Sequence, residues 1–147
     1  MLTFLAMLLG PGPMPVQSPA WQGELSASFH ACMRAAKRWQ RSRSDDENLF
    51  EIGRMACAET EWKRRDRVLN QLYKRVRDRL PPAQRTRLAA LERQWVTERE
   101  MQCNAETEKH PFESEGVTFY LCRVHATNRR IHWLRPPDAR ATRNAPR

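Results

Sequence analysis

The sequence predicts an all-α protein, a small helical bundle built on a long antiparallel helical hairpin and tied by two disulfides. Only five of the 147 residues are glycine, and the long β-branched runs that favour strands are absent. Apolar residues instead recur every three or four positions, which is the spacing of an amphipathic helix. A chain of this length holds one domain, and its four cysteines allow two cross-links.

The N-terminal segment predicts a secretory signal. Residues 2–9 are apolar or small, a Gly-Pro run at 10–13 interrupts any helix, and residues 18–20 offer the small side chains that a signal peptidase recognises. The apolar stretch is too short to span a bilayer. We expect residues 1–20 to be a signal peptide, residues 21–134 to be the folded domain, and the mature chain to have no transmembrane segment.

A first helix is predicted over residues 25–42, where one face is apolar. Ser44 with Glu47 fits a capping box, so a second helix is expected to begin there and to end near residue 80. Gly53 lies inside this second pattern and marks either a kink or a join between two helices.

Two adjacent prolines separate the second helix from the third. Because a proline disfavours helix in the preceding residue but suits the first helical position, a third helix is predicted from Pro82 to about Thr107, antiparallel to the second. A loop at 110–116 and a fourth helix over 117–134 complete the bundle. Residues 135–147 contain four arginines and almost nothing apolar, so we predict a disordered basic tail.

The cysteines allow three pairings. The local pairs Cys32–Cys57 and Cys103–Cys122 would each join one helix to its neighbour, and loops of about 20–25 residues would contribute roughly 3 kcal/mol each. A Cys57–Cys103 bridge across the hairpin is the main alternative. The spacing of Cys122 and His125 matches no common zinc module, and no Cys-x-x-Cys occurs. We therefore predict structural disulfides and no metal or other cofactor.

The hairpin and the fourth helix carry an ordered set of motifs, which are Cys57, Asp66, Leu69, Asn70 and Tyr73 on the first arm, Trp95, Arg99 and Cys103 on the second arm, and Cys122, Thr127 and Arg130 on the fourth helix. Their separations resemble those of the LprI-like lysozyme-inhibitor N-terminal family, a group of small exported helical domains with cysteines, over about residues 32–134. Glu92 stands where that family has Gln, and an insertion around 41–50 lengthens the Cys32–Cys57 separation, which leaves that pairing more open than Cys103–Cys122. The family-motif positions are Asp66, Leu69, Asn70, Tyr73, Trp95, Arg99, Thr127 and Arg130.

The motif residues also have a physical explanation. Arg99 lies four positions beyond Trp95, so its guanidinium is expected to reach Asp66 across the hairpin as a bidentate, partly buried pair. We interpret the set as core plus a buried polar clamp rather than as a ligand site.

The resemblance implies an exported binding protein, periplasmic or secreted, whose expected partner is a lysozyme-like glycosidase. A lysozyme cleft holds two carboxylates, which a cationic group from residues 110–116 or from the fourth helix would suit. The net charge of +9 is unfavourable, because many lysozymes are themselves basic. A locally acidic face would remove this objection, and the candidates are Glu98, Glu100, Glu106, Glu108, Glu113 and Glu115.

An alternative is a basic envelope protein that binds anionic surfaces or polymers without catalysis. Its motivation is clustered cationic residues, which most often are only a solvated helix face. Nucleic acid is not expected as a partner, because no recognition motif accompanies them and export argues against it. The clusters are Arg34, Lys37, Arg38, Arg41 and Arg43, then Lys63, Arg64, Arg65 and Arg67, then Lys74, Arg75, Arg77 and Arg79.

Catalysis is not expected from this sequence. It contains no nucleophile elbow, phosphate loop or His-Glu-x-x-His motif. The four histidines, His30, His110, His125 and His132, are scattered. We therefore predict that the protein is not an enzyme.

Overall fold

A computed structural model describes residues 25–42, 47–109 and 114–135. Over these ranges the chain forms four helices and no strands: α1 (Ala27–Ser42), α2 (Glu47–Asp78), α3 (Pro82–Glu108) and α4 (Glu115–Leu134). The all-α prediction is confirmed, and every predicted helix end lies within two residues of the observed one. The predicted signal peptide, the Ser44 cap and the basic tail after Arg135 lie outside the described residues.

Helix α1 packs antiparallel on the first half of α2. Ser26 caps α1, since its Oγ accepts a hydrogen bond from the backbone N–H of Phe29 at 3.1 Å. A Cβ added at Gly53 would lie 3.1 Å from the Cβ of Ala36. Gly53 therefore permits close approach of α1, and α2 continues through it without interruption, so the predicted alternative of two joined helices is wrong.

The turn between α2 and α3 is held by hydrogen bonds to carbonyl oxygens at the end of α2 and just beyond it. Arg85 donates from Nε to the carbonyl oxygen of Leu80 at 2.6 Å and from Nη2 to that of Asp78 at 3.3 Å. Pro82 occupies the first turn of α3, where its missing N–H leaves no intrahelical bond unmade. The two prolines thus reverse the chain as the sequence predicts.

Helix α4 packs against both α2 and α3, whereas α2 and α3 touch each other little. One core cluster contains Leu69 of α2, Leu88 of α3, and Ile131 and Leu134 of α4. The predicted antiparallel hairpin is present, but its two arms are joined mainly through α4. The order of contact across the bundle is therefore α1, α2, α4, α3.

Both predicted disulfides are present as the local pairs. Cys32–Cys57 joins α1 to α2, and Cys103–Cys122 joins α3 to α4. The alternative bridge between Cys57 and Cys103 is wrong. A second core cluster surrounds the first disulfide and contains Phe29, Cys57 and Ala58, with Tyr120 and Leu121 of α4 packed against it.

None of the described helices combines the length and the hydropathy that a bilayer crossing requires.

Candidate functional site

Three guanidinium groups alternate with four aromatic rings along the interior of the bundle. The carbon of the Arg123 guanidinium lies 4.3 Å from the ring centre of Phe119 and 4.4 Å from that of Trp62. The corresponding carbon of Arg99 lies 5.9 Å from Trp62 and 4.9 Å from Trp95. We call this series the Arg–Trp ladder.

The last step of the ladder is Arg130, whose guanidinium carbon lies 5.4 Å from the ring centre of Trp95 and 4.0 Å from that of Trp133. Cations over aromatic faces contribute about 0.5–2 kcal/mol each, and more where water is excluded. The ladder joins α2, α3 and α4 through side chains that are mostly shielded from solvent. Its members in spatial order are Phe119, Arg123, Trp62, Arg99, Trp95, Arg130 and Trp133.

Carboxylates neutralise the cations of the ladder. Glu100 accepts from Arg99, with 3.0 Å between Nη2 and Oε1, and also from Arg123 of α4. Oε2 of Glu92 accepts hydrogen bonds from Nε and Nη2 of Arg130, at 2.9 and 2.7 Å. A buried cation is costly unless it is paired and hydrogen-bonded, and here each one is.

Arg99 contacts Asp66 as the sequence predicts, but through one contact of 3.4 Å between Nη1 and Oδ1. The bidentate geometry expected with Asp66 is not formed, and the closer partner is Glu100, whose Oε1 lies 3.1 Å from Nε and 3.0 Å from Nη2 of Arg99. Arg99 also donates to the hydroxyl of Thr127 at 3.4 Å. The side chain of Arg99 is only 6% exposed, so this group lies inside the bundle.

The family-motif residues therefore collect around the ladder and the neighbouring core. Trp95, Arg99 and Arg130 belong to the ladder, and Asp66 and Thr127 contact Arg99. The remaining positions flank this group: Leu69 and Tyr73 lie in the first core cluster, and Asn70 donates to Asp66 at 3.0 Å.

Sequence patterns missed a buried carboxylate, Glu61, which is 2% exposed. It accepts from the backbone N–H and the hydroxyl of Ser26, at 3.2 and 2.7 Å, and from Arg64 at 2.7 Å. Burial raises the pKa of Glu61, but the hydrogen bonds from Arg64 and Ser26 outweigh it and lower the pKa to about 2. Glu61 thus fastens the start of α1 to α2.

Of the three arginines of α4, only one supplies an exposed cation of the kind that the sequence suggested. Arg123 and Arg130 are directed into the ladder, and only Arg129 is exposed on that helix. Residues 110–113 of the predicted inhibitory loop lie outside the described residues, and Ser114 caps α4 through the N–H of Val117. Arg129 is therefore the one arginine of α4 whose cationic group is exposed to a carboxylate cleft.

Exposed charge differs between α1 and the second half of α3, while α2 also exposes cations, among them Lys63, Arg67 and Lys74. On α1 the side chains of Arg34, Lys37, Arg38 and Arg41 are exposed, and α1 contains no acidic residue. From Gln94 to Glu108 on α3, by contrast, no exposed residue is cationic. Within the described residues, the stretch from Gln94 to Glu108 is thus a helical surface without an exposed cation, bounded by the exposed Arg93 and Lys109.

The sulfur of Cys122 is bonded to Cys103, so it is not available to a metal together with His125. Across the described ranges, no group of three or more His, Cys, Asp or Glu side chains is arranged to hold a metal ion.

Comparison with known proteins gives one finding. A family model described as "Lysozyme inhibitor LprI" matches residues 43–134, well over half of the chain. The matched range covers α2, α3 and α4 and contains every residue of the ladder. The chain matches no curated protein and no solved structure.

Proposed function

This chain belongs to the LprI lysozyme inhibitor family, and we propose that it is an exported protein that binds and inhibits a lysozyme-like glycosidase without catalysing a reaction itself. Two disulfides support an oxidising compartment, periplasmic or extracellular, because cytosolic thiols are kept reduced. The family match supports a protein partner.

The observation that carries this proposal is that the charged side chains of the ladder are bonded to carboxylates and the cysteines to one another. The three arginines of the ladder are paired with the carboxylates of Glu92 and Glu100, and all four cysteines are in disulfides. A catalytic site needs a group held ready for a substrate, whereas these groups are used to hold three helices together. We infer that the protein acts through its exposed helical surfaces, presented on a rigid interior.

Lysozyme assays test the proposal. Hydrolysis of cell walls by a basic lysozyme is measured with and without the purified mature protein, and we expect inhibition at micromolar excess. The matched control is the same protein after reduction and alkylation of its cysteines, which should lose the inhibition together with its fold. Full lysozyme activity at micromolar excess of the native protein would contradict the proposal.

A second candidate function is favoured by α1. Its four exposed cations and its lack of acidic residues suit an anionic lipid or cell-wall polymer. Retention on anionic vesicles over a series of salt concentrations tests this function, since electrostatic binding must weaken as salt rises. The variant K37Q/R38Q/R41Q should be retained less, whereas K63Q/R67Q/K74Q, which removes three exposed cations from α2, is the control of equal charge.

A further inference from the structure

We propose that the solvent-facing side of α3 is the surface that contacts the lysozyme, and that it suits a basic partner. This inference rests on the proposed function and adds the location and the chemistry of the contact. We call this surface the outer face of α3. It consists of six exposed residues: Gln94, Thr97, Glu98, Met101, Asn104 and Glu108.

Helix α3 lies at one end of the order of helix contacts in the bundle. Its inner side carries Leu88, Arg99 and Cys103, which are buried against the rest of the bundle. On this inner side α3 contacts α4 and touches α2 little. The opposite side of α3 is not covered by any described helix. The outer face extends over about four turns of a regular helix, which is long enough to cross a cleft.

The outer face combines one exposed apolar side chain with polar and acidic ones. Met101 is 67% exposed, which is the largest exposed fraction among the large hydrophobic side chains of the described residues. A flexible, polarisable methionine adapts to the shape of a partner. Protein contact surfaces place apolar side chains at the centre and polar ones at the rim, and Met101 occupies the centre of the outer face.

The charged residues of the outer face are both acidic. Glu98 and Glu108 lie on either side of Met101 along the helix, and no exposed side chain between Gln94 and Glu108 is cationic. Lys109, just beyond the end of α3, pairs with Glu106 at 3.2 Å. A basic lysozyme is repelled by the net charge of +9 on this chain but is favoured at the outer face, so approach there is electrostatically selected.

The helix that carries the outer face is held in place by contacts on its inner side. Directly beneath the outer face, Arg99 is held by Glu100 and Thr127, and Cys103 is bonded to Cys122. These contacts fix α3 to α4 before any partner arrives. A preorganised surface loses less conformational entropy on binding, so the ladder contributes to affinity without contacting the lysozyme.

The test compares three variants with the wild-type protein, using direct binding to a basic lysozyme and inhibition of its activity. E98Q/E108Q removes two negative charges from the outer face, and M101A removes its apolar centre. The control E59Q/D78N makes the same change in net charge on α2, where Glu59 and Asp78 pair with Lys63 and Lys74. Urea unfolding of each variant shows that the fold is retained.

We expect E98Q/E108Q to slow association about tenfold at low salt and to reduce its salt dependence, and M101A to weaken binding several-fold. The control should stay within about twofold of wild type. If wild type inhibits but both outer-face variants behave like the control, the assignment of the surface is wrong and the proposed function stands. If wild type binds without inhibiting, the proposed function is wrong and the binding data alone judge the surface. If wild type neither binds nor inhibits, both are wrong.

Discussion

Arg99 is the residue whose removal is expected to damage the bundle most. Its side chain is 6% exposed and contacts Glu100, Asp66 and Thr127 while lying over Trp95. R99A would leave its carboxylate partners without this cation, and we expect the free energy of unfolding to fall by about 3 kcal/mol or more. Urea denaturation measures this loss.

Two further variants separate the sources of the Arg99 effect. R99K retains the charge but lacks the planar fork and the stacking surface, so it should fall between wild type and R99A. R93A truncates an exposed arginine of the same helix and should change stability by about 0.5 kcal/mol or less. An R99A variant no less stable than R93A would show that the ladder does not stabilise the bundle.

Glu61 predicts a loss of stability in acid. Its pKa in the folded protein is about 2, against an ordinary value of 4.5. Because the folded pKa is the lower one, the stabilisation is complete above pH 4.5 and is lost as the pH falls from 4.5 towards 2. It is worth on the order of 3 kcal/mol at neutral pH.

Urea denaturation between pH 7 and pH 2 tests the Glu61 prediction with E61Q as the comparison. The variant should be less stable than wild type at pH 7 and should lose less stability across the acid range, since it has no carboxylate at this position to protonate. The two proteins should therefore converge near pH 2. Parallel curves for E61Q and wild type would contradict the assignment.

At the level of single residues, sequence spacing predicted some contacts and missed others for identifiable reasons. The approach of Arg99 to Asp66 followed from helical periodicity on two antiparallel helices. Its closer pairing with Glu100 was not predicted, because adjacent residues point in different directions on a helix unless a long side chain folds back. The bond from Ser26 to Glu61 joins residues 35 positions apart, which no local pattern reveals.

At the level of helices, periodicity and the paired prolines predicted all four elements, but not the placement of α4 between the arms of the hairpin. Val117, Val124, Thr127 and Ile131 of α4 form a buried stripe, and the ladder residues Phe119, Arg123 and Arg130 lie on a neighbouring one. A helix that contacts two neighbours buries a wide arc of its surface, so one stripe at three-four spacing describes only part of it.

The two disulfides are expected to stabilise different parts of the molecule. Each closes a loop for which chain entropy predicts roughly 3 kcal/mol. Cys103–Cys122 fixes α3 to α4 next to the ladder, so C103S/C122S should lower the global free energy of unfolding by about this amount. Cys32–Cys57 holds α1, whose packing is mainly on α2, so C32S/C57S should chiefly increase local opening of α1.

Hydrogen exchange distinguishes these two outcomes. In C32S/C57S the amides of α1 should lose protection while those of α3 and α4 keep it. In C103S/C122S protection should fall throughout the bundle. Equal and uniform losses in the two variants would show that α1 unfolds together with the rest of the protein.

At the scale of the whole molecule, the two surfaces that we propose for an anionic polymer and for a lysozyme belong to different helices. The cationic residues of α1 lie on a helix that packs on α2, and the outer face of α3 belongs to a helix that packs on α4. Composition alone gave only the net charge of +9, which argued against a basic lysozyme as the partner. The fold separates the charges into surfaces, which a sum over the sequence does not show.

This separation predicts that protein bound to an anionic surface still inhibits lysozyme. Anionic vesicles carrying the wild-type protein should inhibit a basic lysozyme as well as the same amount of free protein does, because α1 contacts the vesicle and α3 remains exposed. Bare vesicles give the activity lost through adsorption of the lysozyme itself, and K37Q/R38Q/R41Q, which should stay in solution, gives the inhibition without attachment. Inhibition that disappears when the wild-type protein is attached, but persists for the detached variant, would mean that the two surfaces overlap.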